Sequence, residues 1–271
     1  MKLKNILSAA AVCAASVMVV SSCSKEKEAV APAAQEEISQ AVLTQIKEMG
    51  LTTDGAQKVD GGYLVEGDIL ITPENLATKP DYKMMRVGTE EQYRTTNLVS
   101  VGTGRTISVA ASTALPAAYV TATDAAIARY NAQNLLIHFV RVTSGADITL
   151  AQAPKSARYL ASGGFPTGGN PYNQVLINSG AIGTANPSTY IATILAHEIG
   201  HCIGFRHTDY MDRSFSCGGA VSNEGASTVG AILIPGTPSA ADPNSWMLAC
   251  IGSGNDRPFN PNDVTALNYV Y

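Results

Sequence analysis

The chain has 271 residues, 45% of them hydrophobic, which is enough for one large domain or two small ones around a packed core. A formal charge of −4 and a pI near 5.6 argue against a nucleic-acid surface. No dense Lys/Arg run, repeat or coiled-coil heptad is present.

Lys2 and Lys4 precede an apolar run over residues 6–20 that is broken only by Ser8 and Ser16. The run is short for a membrane span and ends in small residues, so residues 1–22 read as an export signal. Residues 23–35 are charged, Ala-rich and contain Pro32, the composition of a flexible tether. Residues 36–94 form an N-terminal segment. Its first part, residues 36–49, places Ile38, Val42, Ile46 and Met49 at helical spacing, and Gly50 follows as a stop. Residues 61–72, GGYLVEGDILIT, read as a strand pair or strand-turn.

The main domain is expected over residues 95–271. Residues 105–110 (RTISVA) look like a first strand, and Thr123 or Asp124 can cap a helix running to about Gln133. Residues 135–142 (LLIHFVRV) alternate as a strand, with His138 a core or sheet-surface histidine and not a fourth ligand, and residues 147–150 (DITL) make another. Residues 162–173 (SGGFPTGGNPYN) are too rich in breakers for a regular element. Residues 175–178 (VLIN) give a last inner strand. Asn186 then caps a helix with Pro187 in its first position and Ile191, Ile194, Leu195 and Ile199 on its core face.

That helix leads into HEIGHCIGFRH, residues 197–207, which holds three of the chain's four histidines. His197 and His201 lie four apart, so their imidazoles share one helical face and can grip one metal ion. Glu198 can reach a water on that metal, Gly204 lets the chain leave the helix, and the turn returns His207 as a third nitrogen ligand. Three histidines and a carboxylate make a Zn2+ site with an open position.

Beyond the motif, residues 222–238 include the apolar run AILIP, expected to wall a substrate pocket, and Asn260, Pro261 and Asp263 open a final helix with Val264, Leu267 and Tyr271 on one stripe. Cys202, Cys217 and Cys250 permit one bridge, and Cys217 with either Cys202 or Cys250 is open on spacing. No cysteine lies between Cys23 and Cys202, which excludes a cysteine switch from the N-terminal segment.

The HExxH pattern with Gly204 and His207 resembles the metzincin clan of zinc peptidases. HEIGH followed by Phe205, Arg206 and Thr208 most resembles the bacterial dual-action HEIGH metallopeptidases. Over residues 95–271 that resemblance implies an α+β zincin fold: a twisted mixed sheet packed on the active-site helix, with a smaller irregular C-terminal subdomain. It implies a monomeric endopeptidase acting on protein or peptide, with His197, His201 and His207 on zinc and Glu198 as general base. It also implies that residues 162–173 rim the cleft and present an edge strand to substrate, and that Met247 forms the methionine turn under the metal, Met211 being too near His207. Ala249 stands where astacins carry a tyrosine ligand, which sets this chain apart from astacins proper.

Two partial resemblances concern the N-terminus. Residues 65–68, VEGD, resemble the FxGD of astacin propeptides with Val65 in place of Phe. That likeness makes residues 36–94 a candidate removable propeptide and Asp68 its latency switch, against the alternative of a plain turn aspartate. Residues 20–23, VSSC, resemble a bacterial lipobox. This implies cleavage before Cys23, its lipidation, and an extracytoplasmic protein anchored in the bacterial outer membrane or on the cell surface. The rival readings are a zinc amidase on cell-wall substrates and a surface lipoprotein that binds a partner and keeps zinc as a structural clamp.

Overall fold

Alternation of buried aliphatic residues builds one large mixed sheet, and two long helices cover its inner face. The computed structural model describes residues 37–49, 51–77, 92–221, 230–238 and 242–271. The signal, Cys23 and the tether lie outside the described residues. In chain order come α1 (Gln40–Glu48), β1 (Gln57–Val59), β2 (Gly62–Val65), β3 (Ile69–Ile71), α2 (Pro73–Ala77) and β4 (Tyr93–Arg94). Then follow β5 (Arg105–Ala111), α3 (Ala117–Asn131), β6 (Ile137–Arg141), β7 (Ile148–Gln152), β8 (Ala161–Gly164) and β9 (Gln174–Ile177). The last elements are α4 (Ser179–Ile182), α5 (Ser188–Cys202), α6 (Ser214–Cys217), β10 (Ile232–Leu233) and α7 (Pro261–Val270).

The sheet has eight strands in the order β1-β2-β3-β8-β9-β7-β5-β6, so the class is α+β as expected. Strands β5, β6, β7 and β9 run parallel, the arrangement that a crossover helix such as α3 requires. Strand β8 runs antiparallel to β9 and pairs on its other side, in parallel, with β3. The hairpin β2–β3 therefore extends the same sheet, and Gln35–Tyr271 form one compact unit. The main core joins Ile107, Val109 and Phe139 from the sheet to Tyr119 and Tyr130 of α3 and Ile191, Leu195 and Ile199 of α5. A second, smaller core packs Ile46, Leu51, Val65, Ile69 and Ile71 of the N-terminal segment against Phe165 beyond β8.

Several expectations need correction. Helix α3 begins at Ala117, with Pro116 setting the entry. Thr123 and Asp124 lie inside it: the Thr123 hydroxyl donates to the Tyr119 carbonyl (2.7 Å) and Asp124 pairs with Arg141 (2.5 Å). Asn186 does not cap α5; Pro187 holds the cap position and the Asn186 amide donates to the Ile182 carbonyl (3.3 Å). The breaker-rich stretch contributes a strand after all, because in β8 Ser162 pairs with Leu176 of β9 and Gly163 and Gly164 pair with Ile69 and Leu70 of β3. The AILIP run is no pocket wall: β10 pairs with β4, and Ile234 is fully buried in the main core.

Helix α7 opens as expected, on a capping box. The Asn260 side chain accepts from the Asp263 amide (3.0 Å), and Asp263 Oδ2 accepts from the Asn260 amide (3.0 Å). Asp263 is fully buried, and it also accepts from Gln92 Nε2 (2.8 Å) and the Trp246 amide (3.2 Å). It thus ties α7 to the segment just before Met247. Asp263→Ala removes a cap and strands two buried donors, at a cost of about 3 kcal/mol. A thermal melt should fall by roughly 6–12 °C; an unchanged melt would show that the network carries no stability.

Candidate metal centre

The second half of α5 is buried on every side, so its polar residues need internal partners. His197 and His201 project one turn apart, with ring centroids 4.7 Å from each other. Gly204 then takes φ +110°, and a Cβ there would meet Asn97 O at 2.8 Å and Leu98 Cδ2 at 2.7 Å, so only glycine makes the turn. The returning chain is held on β4: the Arg206 amide donates to the Tyr93 carbonyl (2.9 Å) and the Thr95 amide to the Gly204 carbonyl (2.7 Å). This brings the His207 ring 5.3 Å from that of His197 and 4.9 Å from that of His201.

The tautomers of two rings follow from their neighbours. His197 Nδ1 donates to the Trp246 carbonyl (2.9 Å) and His201 Nδ1 to the Phe205 carbonyl (2.8 Å). Each Nε2 therefore carries a lone pair, is buried, and has no hydrogen-bond partner among the described residues. Burial first, and then the neighbouring imidazoles of His197 and His207, hold the His201 pKa well below its ordinary value. Buried lone pairs aimed at one point are what a cation requires.

Asp68, from the turn between β2 and β3, completes the group. Its Oδ2 lies 3.1 Å from His207 Nε2 and 3.5 Å from His197 Nε2, and its Oδ1 lies 4.0 Å from His201 Nε2. The four ligand atoms fall within 4.8 Å of one another. Ligands about 2.1 Å from a tetrahedral zinc sit roughly 3.4 Å apart, so the donor set fits that ion. Burial alone would raise the Asp68 pKa, but the charge of His207 and the contacts with His197 and His201 outweigh it and hold it well below the usual range.

Glu198 stands beside the group and outside it. Its side chain is buried, and Oε2 has no hydrogen-bond partner among the described residues. Burial first, and then the charge of Asp68, push its carboxyl well above the ordinary value, against the opposing effects of His207 and the Gly163 amide. Gly163 must be small: a Cβ there would lie 2.9 Å from the Glu198 carbonyl and 3.1 Å from Oε2. Met247 is fully buried under α5, where a Cβ on Gly200 would lie 2.7 Å from its Sδ. Cys217 pairs with Cys250, so of the two open pairings the one with Cys202 does not form; Cys202 stays a buried thiol in α5.

Other residues escaped the sequence reading. Glu66 and Arg206 form a fully buried ion pair at 2.6 and 2.8 Å, and Glu66 also accepts from the Thr52 amide (3.1 Å). Glu66 sits at φ +55° with Gly67 beside it, a turn that aims Glu66 and Asp68 into the domain together. The VEGD string quoted both acids, but only the three-dimensional neighbour gives Glu66 a role. Phe165, which packs on β3's apolar residues, also stands edge-on to His201 at 5.8 Å. Next to the centre opens a cavity of about 260 Å³ whose lining includes Asp68, His197, Glu198 and Tyr159.

Three imidazoles converge from a HExxH helix and its return loop, above a buried methionine and on an α+β frame, in a group that could hold one metal ion. Residues 63–271 match the dual-action HEIGH metallo-peptidase family, and the chain belongs to that family. The match takes in the hairpin that carries Asp68. No curated protein sequence matches the chain. Among solved structures it is similar to myroilysin (18% identity over 39% of this chain and 50% of that one, TM-score 0.30). It is also similar to high choriolytic enzyme 1, a hatching enzyme zinc-protease from the medaka fish Oryzias latipes (20% identity, 41% and 49%, TM-score 0.27). A third is the ECX AB5 holotoxin in its GM1-bound form (16% identity, 47% and 66%, TM-score 0.33). The matched part spans between about half and two thirds of those chains.

Proposed function

We propose that the chain is an exported zinc endopeptidase, folded in a latent form in which Asp68 occupies the substrate position of the metal. The observation that carries this is the convergence of Asp68 with His197, His201 and His207, beside a buried carboxylate that takes no part in the cluster. When bound, zinc would supply Lewis-acid polarisation of a scissile carbonyl and acidify a water. Glu198 Oε2 would serve as the base that takes a proton from the attacking water and delivers it to the leaving amine. The Trp246 and Phe205 carbonyls keep His197 and His201 in the ligand tautomer throughout.

Two further features favour latency. Strand β3 lies on β8, the strand that would otherwise form the sheet edge and could pair with an extended peptide. The Glu66–Arg206 pair and the core around Phe165 hold that strand down. Three histidines with an aspartate would equally suit a closed structural site. The adjoining cavity and the uncommitted Glu198 favour chemistry over that second reading.

Export and lipidation at Cys23 rest on Lys2, Lys4, the apolar run and the VSSC string. A chelator-sensitive digest of an unfolded protein tests the activity: the full chain, nicked before residue 95 by trace trypsin, should degrade casein and stop when zinc is removed. Hydrolysis unaffected by the chelator would overturn the assignment.

A further inference from the structure

Three arginines, Arg158, Arg213 and Arg257, are among the residues that line the cavity beside the metal centre, in a chain whose formal charge is −4. Apart from Asp68 and Glu198 of the metal centre, the carboxylates around them are committed. Asp256 pairs with Arg129 (2.6 Å), and Glu66 pairs with Arg206. Asp209 accepts from the Ala249 amide (2.9 Å) and from the Ser216 hydroxyl. Asp263 serves Gln92, Trp246 and Asn260. Arg158 and Arg257 form no ion pair among the described residues.

Arg257 is also held in place. Its amide donates to Thr193 Oγ1 (2.9 Å), one helical turn before His197, and its Nη1 donates to the Cys250 carbonyl (3.0 Å), which the Cys217 disulfide secures. The group is half-buried, and burial pulls its pKa below the ordinary arginine value against the charges of Asp209 and Asp263. A partly dehydrated cation with donors still to satisfy is a receptor for a carboxylate. Arg158 is exposed at the rim, and Arg213 lies over Gly67, beside the turn that latency would have to release.

We propose that Arg257, assisted by Arg158, is the specificity determinant of this cleft and selects peptides with an acidic side chain flanking the scissile bond. This rests on the peptidase reading above and names its substrate class. Removal of the segment that carries Glu66 and Asp68 deepens the effect, since it takes two acids away from the cavity and leaves the cations.

The test compares isosteric peptide pairs, Glu against Gln and Asp against Asn at positions beside the cleaved bond, with the full chain carrying Asp68→Ala. The acidic member should be cleaved with a kcat/KM about tenfold higher or more, the scale of one charge-assisted hydrogen bond. Added salt should shrink that ratio. Arg257→Gln should bring it toward one, Arg158→Gln should lower it by less, and Arg257→Glu should shift preference to a lysine peptide. Cleavage of both members at equal rates overturns the proposal and leaves the peptidase standing, as does a ratio unchanged in an Arg257→Gln protein of parental melting temperature. If Arg257→Gln fails to fold, the parental ratio and its salt dependence decide. Cleavage of no peptide by any form removes the peptidase reading and this proposal with it.

Discussion

Glu198→Ala should abolish peptide hydrolysis while one zinc per chain remains bound. The carboxylate is outside the cluster of Asp68, His197, His201 and His207, so its loss removes no ligand. Its Oε2 is buried without a hydrogen-bond partner among the described residues, so it is placed to take the proton. Loss of a positioned general base lowers turnover by about 10²–10⁴-fold. Stability should move the other way. In the metal-free protein, burial and Asp68 raise the Glu198 pKa above its unfolded value. Its contribution to stability is therefore fully present only below the unfolded pKa and is lost as pH rises through the folded one. Glu198→Gln removes that loss, so the metal-free variant should melt no lower than the parent at neutral pH. Zinc analysis, a progress curve and a melt check the three statements together. Full turnover by Glu198→Ala would end its role as base.

Asp68→Ala is the second large effect, and it has the opposite sign. If the aspartate holds the substrate position in about 99 of 100 molecules, freeing it raises hydrolysis of a short peptide up to about 100-fold. The three histidines remain, so zinc content should not change. Activity on a long substrate should rise less, because β3 still covers β8 and Glu66 still pairs with Arg206. Cutting that ion pair is costly, about 3–5 kcal/mol for a charge left buried without its partner, and it should loosen the whole hairpin. An Asp68→Ala chain as silent as its parent, beside a nicked chain that is active, would show that the aspartate is a bystander. If neither were active, the closed structural site would gain.

The zinc helix was legible because its information is local. Four-residue spacing on a helix, a glycine at φ +110° and a third histidine six residues on from His201 all lie within one short string. Helix α7 was legible for the same reason, its cap and its Asp263 being three residues apart. The strand of residues 137–141 showed itself through alternation, and the structure settles His138 on the exposed side of the sheet and not in the core. Where the reading missed, the deciding partner was distant. Gly163 and Gly164 look like loop residues until β3 pairs with them, while β9 takes up Ala161 and Ser162 just before. The AILIP run looks like a wall until β4 takes up β10.

The amino-acid sequence by itself placed His197, His201, His207 and Glu198 in one short string, offered Met247 as the methionine candidate and pointed to the family, since each rests on residue types at fixed short spacings. Tertiary structure alone decided that Asp68 meets His207 across 139 residues, that Glu66 pairs with Arg206 across 140, and that Cys217 takes Cys250 in place of Cys202. It also gathered Arg158, Arg213 and Arg257 around one cavity. Such meetings depend on the register of an eight-stranded sheet, and register is a property of the assembled strands and of no single stretch of chain.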